Sequence, residues 1–127
     1  MAETATPAVL ALVSDMIFES KIGGTGRAAG VSVKTVRTPA ALLSAASAGG
    51  AAMVLVDLNV TGSRTADVIA GLRRACGGVR IIGFASHVDA DLLEQARLAG
   101  ADEVMPRSRF DADLAAILAT GPAGRRS

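Results

Sequence analysis

Four places in this 127-residue chain set polar side chains directly behind a short run rich in Val and Ile, and chemistry could sit there. Ser14-Asp15 follows VLALV, Asp57 follows MVLV, Ser86-His87 follows IIGFA, and Pro106-Arg107-Ser108 follows EVM. Carboxylates are the oxygen ligands a hard divalent cation takes, and a guanidinium neutralises a carboxylate or a phosphate through paired N–H donors. These residues contain no nucleophile–base pair, and two carboxylates make no complete metal triad, so an independent enzyme is not expected. One cysteine, Cys76, and one histidine, His87, are too few for an internal disulfide or a histidine-based zinc site. Cys76 reads as a small buried hydrophobe at the end of a helix, and His87 as a loop residue in solvent.

The elements that must position these groups follow from the spacing of apolar residues. Short apolar runs cover Ala8 to Val13, Val31 to Val36, Met53 to Val56 and Val79 to Phe84, with a weaker one at Glu103 to Met105. Between them lie stretches with helical periodicity, the rhythm of repeated strand-helix units and a parallel sheet. Thr38 before Pro39, Asp91 with Glu94, and Ser108 with Asp111 have the pattern of helix starts, while Gly30, Gly49-Gly50, Gly77-Gly78 and Gly100 stand where helices should stop. Each helix carries one apolar stripe: Phe18, Ile22, Thr25 and Ala29 on the first; Val68, Ile69, Leu72 and Ala75 on the third; Leu114, Ile117 and Leu118 on the last. Helices with one stripe must cover both faces of a buried sheet, which predicts an α/β, three-layer, doubly wound five-stranded parallel sheet of flavodoxin-like topology. Such a fold gathers its ligands beyond the carboxyl ends of the strands, so Asp15, Asp57 and Arg107 should meet at one rim.

Composition removes several classes of function. Thirteen basic against twelve acidic residues leave a net charge of +1 with no basic block, and three Phe with neither Trp nor Tyr offer little for bases to stack on, so no nucleic acid is expected. No apolar run approaches the length of a membrane span, and Met1 to Pro7 lacks the basic-then-apolar pattern of a leader. The expected location is cytoplasmic. With 50% hydrophobic residues the chain can bury a core without a staple, as one domain over residues 1–120 followed by a flexible tail at 121–127. GGTGRAAG, Gly23 to Gly30, has glycines like a phosphate loop, yet it begins about ten residues after its strand rather than at the strand end. Gly23, Gly26 and Gly30 instead share one helical face, which implies close packing or an interface.

From VLALVSD through VLVDLN and IIGFAS to AGADEVMPRSRF, the chain resembles the response-regulator receiver domains of two-component phosphorelay signalling, of CheY-like type. The resemblance spans nearly the whole chain. It implies that Asp57 is a phosphoacceptor, making this a phosphoprotein, and that an acid pair after the first strand, here Ser14-Asp15, helps hold Mg2+, with Asp15 and Asp57 as the metal ligands. It also implies a switch hydroxyl after the fourth strand, for which Ser86 is the candidate because Ala85 fills the usual register. The Lys followed by Pro of such domains is here Arg107 followed by Ser108, and the first acid of the pair is Ser14. Fewer anionic oxygens mean weak Mg2+ binding.

The resulting expectation is a stand-alone atypical receiver-like signalling module without an output domain, partnered by a histidine kinase or other signalling protein. Self-association is expected through the fourth helix, fifth strand and fifth helix of the five-unit scheme, bearing Arg97, Glu103, Arg109 and Asp113. Two alternatives share the fold: a phosphorylation-independent interaction scaffold, and a small anion- or nucleotide-binding module of flavodoxin type.

Overall fold

A computed structural model describes residues 8–121; the leader and tail readings for residues 1–7 and 122–127 fall outside the described residues. Five parallel strands, β1 (Val9–Leu12), β2 (Val33–Val36), β3 (Met53–Asp57), β4 (Arg80–Ala85) and β5 (Glu103–Pro106), form one sheet in the order β2-β1-β3-β4-β5. The helices are α1 (Met16–Ala29), α2 (Pro39–Ser47), a single turn α3 (Leu58–Thr61), α4 (Thr65–Ala75), α5 (Ala90–Ala99) and α6 (Arg107–Thr120), with a 3-10 turn over Gly62–Arg64. This is the expected three-layer arrangement.

Side chains alternate across the strands, as a pleated sheet buried on both faces requires. Leu10, Leu12, Val54, Val56 and Ile81 point to the layer holding Leu42, Ala46, Val68, Ile69, Leu72 and Ala96 of α2, α4 and α5. Val9, Ala11, Met53, Leu55, Ile82 and Phe84 point to the other layer, with Phe18 and Ile22 of α1 and Phe110, Leu114, Ile117 and Leu118 of α6. Two of the expected stripe positions on α1 are wrong. Thr25 is only half-buried and Ala29 is exposed, whereas Gly26 is buried. A Cβ on Gly26 would lie 2.6 Å from Val33 Cγ2 and 3.2 Å from the Val31 carbonyl. Glycine is therefore what lets α1 sit directly on β2, and it, not a larger residue, continues the stripe. Ala75 at the end of α4 is likewise exposed.

Two of the expected helix starts also need correction. Thr38 does cap α2, accepting from the Ala41 N–H at 3.1 Å with Pro39 at the first helical position. Asp91 lies inside α5, which starts behind Asp89, and Glu94 pairs with Arg97 instead of closing a capping box. Ser108 lies inside α6, which begins one residue earlier, directly behind Pro106. Both helices start closer to their strands than the capping patterns indicate. Gly30, Gly49, Gly50 and Gly100 take positive φ as stop positions do, but Gly77 and Gly78 do not. There the turn is held instead by Arg73, whose guanidinium donates to the carbonyls of Gly77 and Val79.

Candidate functional site

Strand order reverses at β1 and β3, so the segments that leave these strands diverge and open a crevice at their carboxyl ends. Asp15 and Asp57 stand on either side of it. Register brings in the rest: Asp57 pairs with Phe84 across β3–β4, and Ala85 pairs with Pro106 across β4–β5. Ser86 and Arg107, each one residue beyond its strand, are therefore carried to the same rim.

The side chains complete this convergence. Arg107 Nη2 donates to Asp57 Oδ2 at 2.6 Å, and Nη1 lies 3.8 Å from Asp15 Oδ2. The carboxylates nearest to Arg107 in sequence are taken by other cations, Asp102 by Arg73 and Asp111 by Lys21. Each carboxylate uses its second oxygen to start a helix. Asp15 Oδ1 accepts from the N–H groups of Ile17 and Phe18 at the start of α1, and Asp57 Oδ1 accepts from the Asn59 N–H in α3. Asp57 is 2% exposed, whereas the Arg107 side chain is 34% exposed. The guanidinium thus closes the crevice over a buried carboxylate, with its outer edge in water.

Aromatic packing fixes where that guanidinium lies. Its carbon sits 4.7 Å from the centroid of Phe18 and 5.8 Å from that of Phe84, within cation–π range. Phe84 in turn stacks on Phe110 at 4.1 Å, and Phe18 meets both edge-on. All three aromatic residues of the chain therefore form one cluster beneath Arg107.

Two participants were not singled out from the sequence. Asn59 ties adjacent loops together: its Nδ2 donates to Asp89 Oδ2 at 2.8 Å and its Oδ1 accepts from the Ser86 N–H at 2.9 Å. Its position two residues behind Asp57 was the available signal. Phe18 was read as a core residue only, and nothing in its spacing shows that its upper edge carries Arg107. Ser86 and His87 line a cavity of about 400 Å³ together with Phe18, Arg107, Ser108 and Asp111. On α5, β5 and α6, Arg97, Glu103, Arg109 and Asp113 all have partners within the chain, in the pairs Arg97–Glu94, Arg80–Glu103 and Arg109–Asp113.

A receiver would hold Mg2+ between the carboxylates at this rim. Here Ser14 replaces one acid, and the space between Asp15 Oδ2 and Asp57 Oδ2 is spanned by Arg107. Among the described residues no three His, Cys, Asp or Glu side chains come together to bind a metal. Two carboxylates whose cation is already supplied by an arginine do not fit a resident Mg2+ ion.

No protein-family model and no curated protein matches the sequence. Solved structures do match it. A signal receiver domain of an HD domain-containing protein from Pseudomonas fluorescens superposes with a TM-score of 0.79 at 13% identity, covering 97% of this chain and 91% of that one. A response regulator receiver domain protein from Clostridium thermocellum gives 0.77 at 16% identity, over 91% and 93% of the two chains. The fold is that of a response-regulator receiver domain. A further receiver-fold structure, a response regulator from Burkholderia pseudomallei with a phosphorylated aspartic acid, calcium ion and citrate, matches with a TM-score of 0.70 at 19% identity, over 87% of this chain and 70% of that one. At such identities the likeness extends to the architecture, and the chemistry has to be read from this chain's own residues. No described helix is long and apolar enough to cross a membrane.

Proposed function

We propose that this receiver-fold chain is an interaction module that signals by docking to another protein and does so without metal or phosphoryl transfer. One observation carries the reading: the Arg107 guanidinium lies 2.6 Å from Asp57 Oδ2 over a carboxylate that is 2% exposed. An incoming phosphoryl group would need that oxygen, and the cation that would offset its charge would need the space Arg107 fills. Arginine keeps its charge at all accessible pH and holds a carboxylate in a fixed geometry, which a mobile lysine would not do. The rim is thus kept in one charge-satisfied state, suited to a constitutive contact surface. The partner is a histidine kinase or another signalling protein, and the chain performs no reaction of its own.

The competing reading keeps Asp57 as a phosphoacceptor and Ser86 as its switch hydroxyl. It draws support from the placement of Asp57 at the strand-order reversal. Acetyl phosphate or beryllofluoride with Mg2+, added to 15N-labelled protein, separates the two. The expected result is an amide spectrum that does not change. Shifts at residues 57–59 and at Ser86 would overturn the proposal in favour of phosphorylation.

A further inference from the structure

One buried charge takes no part in the carboxyl-end rim. Arg80 opens β4 and is 5% exposed, in register with Met53 at the start of β3, so it lies at the amino end of the sheet, opposite Asp57. Two residues before Ile82, it faces the layer of α1 and α6. Its guanidinium reaches three groups. Nε and Nη2 lie 2.8 and 2.6 Å from Glu103 Oε1, while Nη1 donates to the Gly121 carbonyl at 2.8 Å and has Met53 Sδ at 3.9 Å. An apolar side chain of similar volume in place of a buried ion pair is often as stable or more so. Stability alone therefore does not call for arginine at position 80, and what arginine adds is a directed bond to the residue behind α6.

The last carbonyls of a helix have no partner within it, and a helix end without tertiary contacts frays. At the end of α6 the Gly121 residue is buried, and its carbonyl accepts from Arg80. Its φ of 57° and ψ of −140° form a conformation open to glycine and rarely to other residues, and that conformation aims the carbonyl at the guanidinium. Ile117 and Leu118 pack beneath the same turn, but apolar contact has no direction. Lifting the carbonyl away would leave Nη1 with only the Met53 sulfur, a weak acceptor, in a buried site. The helix is thus tied to the sheet by an arginine at each end, since Arg107, its first residue, reaches Asp57.

We infer that Arg80 is a latch on the end of α6 that makes release of the last helical turn an all-or-none event. The latch acts at the amino end of the sheet and stands whether or not Asp57 accepts a phosphoryl group.

Native-state hydrogen exchange of the 15N-labelled full chain, read amide by amide at low urea concentrations, tests the latch. In the parent, residues 118–121 should exchange only through an opening that urea promotes, because simple fraying exposes too little surface to respond to urea. Arg80→Met keeps the bulk and removes the donors. It should leave the global urea midpoint nearly unchanged, yet speed exchange at 118–121 at least about tenfold, the loss of one hydrogen bond from a charged donor. Gly121→Ala, whose Cβ would meet no neighbour within 4 Å, displaces the carbonyl through backbone strain and should speed exchange at the same residues with the Arg80–Glu103 pair in place; it carries the test alone if Arg80→Met does not fold. Urea-independent exchange at 118–121 in the parent, or no acceleration there in either variant, would overturn the inference. An acceleration in Arg80→Met spread evenly over β3, β4 and α6 would also overturn it, by making Arg80 a general support of the core.

Discussion

Replacing Arg107 with Ala should expose how much the chain depends on its internal cation. The substitution leaves Asp57, 2% exposed, with the Asn59 N–H as its only described hydrogen-bond donor. Breaking a fully buried pair in this way costs about 3–5 kcal/mol, chiefly from the stranded charge. A third of the Arg107 side chain faces solvent, so water can enter where it stood, and about 2–3 kcal/mol is the better expectation. For a chain of this length that corresponds to a fall in Tm of about 10 °C. Asp57→Asn removes the charge while nearly keeping the shape, and should cost about 1 kcal/mol. The double variant has no stranded carboxylate, so it should be more stable than Arg107→Ala alone. Urea denaturation of all four proteins gives the coupling, expected at about 2 kcal/mol. Stacking of Arg107 on Phe18 and Phe84 is lost by the alanine in both backgrounds and cancels. A coupling below about 0.5 kcal/mol would show that the pair is a surface contact, and the case for a locked rim would fail with it.

Two further predictions test packing and titration. Gly26→Ala should destabilise by about 1–3 kcal/mol, because its Cβ would fall 2.6 Å from Val33; Gly23→Ala and Gly24→Ala, whose Cβ atoms would meet only the end of the Arg27 side chain, should instead stabilise by up to about 1 kcal/mol, all read by urea midpoints. Burial pushes the Cys76 thiol above its ordinary value of 9.0, with Arg73 opposing the shift, so the native state favours the neutral thiol. Its contribution to stability should be complete below pH 9.0 and decline as pH rises further. Alkylation by iodoacetamide near pH 8 should be slower for the native chain than for the chain in urea, and equal rates would contradict the burial.

The sheet was legible because each strand carries its own evidence. A buried parallel strand is a short continuous apolar run, and MVLV or IIGFA needs no knowledge of its neighbours to be recognised. Thr38-Pro39 was readable for the same reason, its cap being complete within four residues. At Gly26 the close packing was readable from the glycine face, but not the partner that demands it, since Val33 lies on another element. The starts of α5 and α6 were misplaced because Asp91 and Ser108 have capping chemistry, whereas the chain turns into helix one residue earlier at each, α6 directly after β5 and α5 behind the loop at residues 86–89.

The site divides along the same line. That Asp15, Asp57 and Arg107 would share a rim follows from topology, which needs only the order of the strands. What they do to one another depends on lengths and angles that no spacing encodes. Asp57 and Arg107 are fifty positions apart, and whether a guanidinium at position 107 reaches over the crevice or turns to Asp111 one helical turn away is decided by Phe18, which holds it from below. Lys21 then completes the choice by occupying Asp111 itself. The substitution of arginine for lysine, a minor change in charge, becomes a major one in shape. A planar cation resting on an aromatic face can span two carboxylates, and the proposed function rests on that span, 2.6 Å from Asp57 and 3.8 Å from Asp15, more than on the loss of any one acidic ligand.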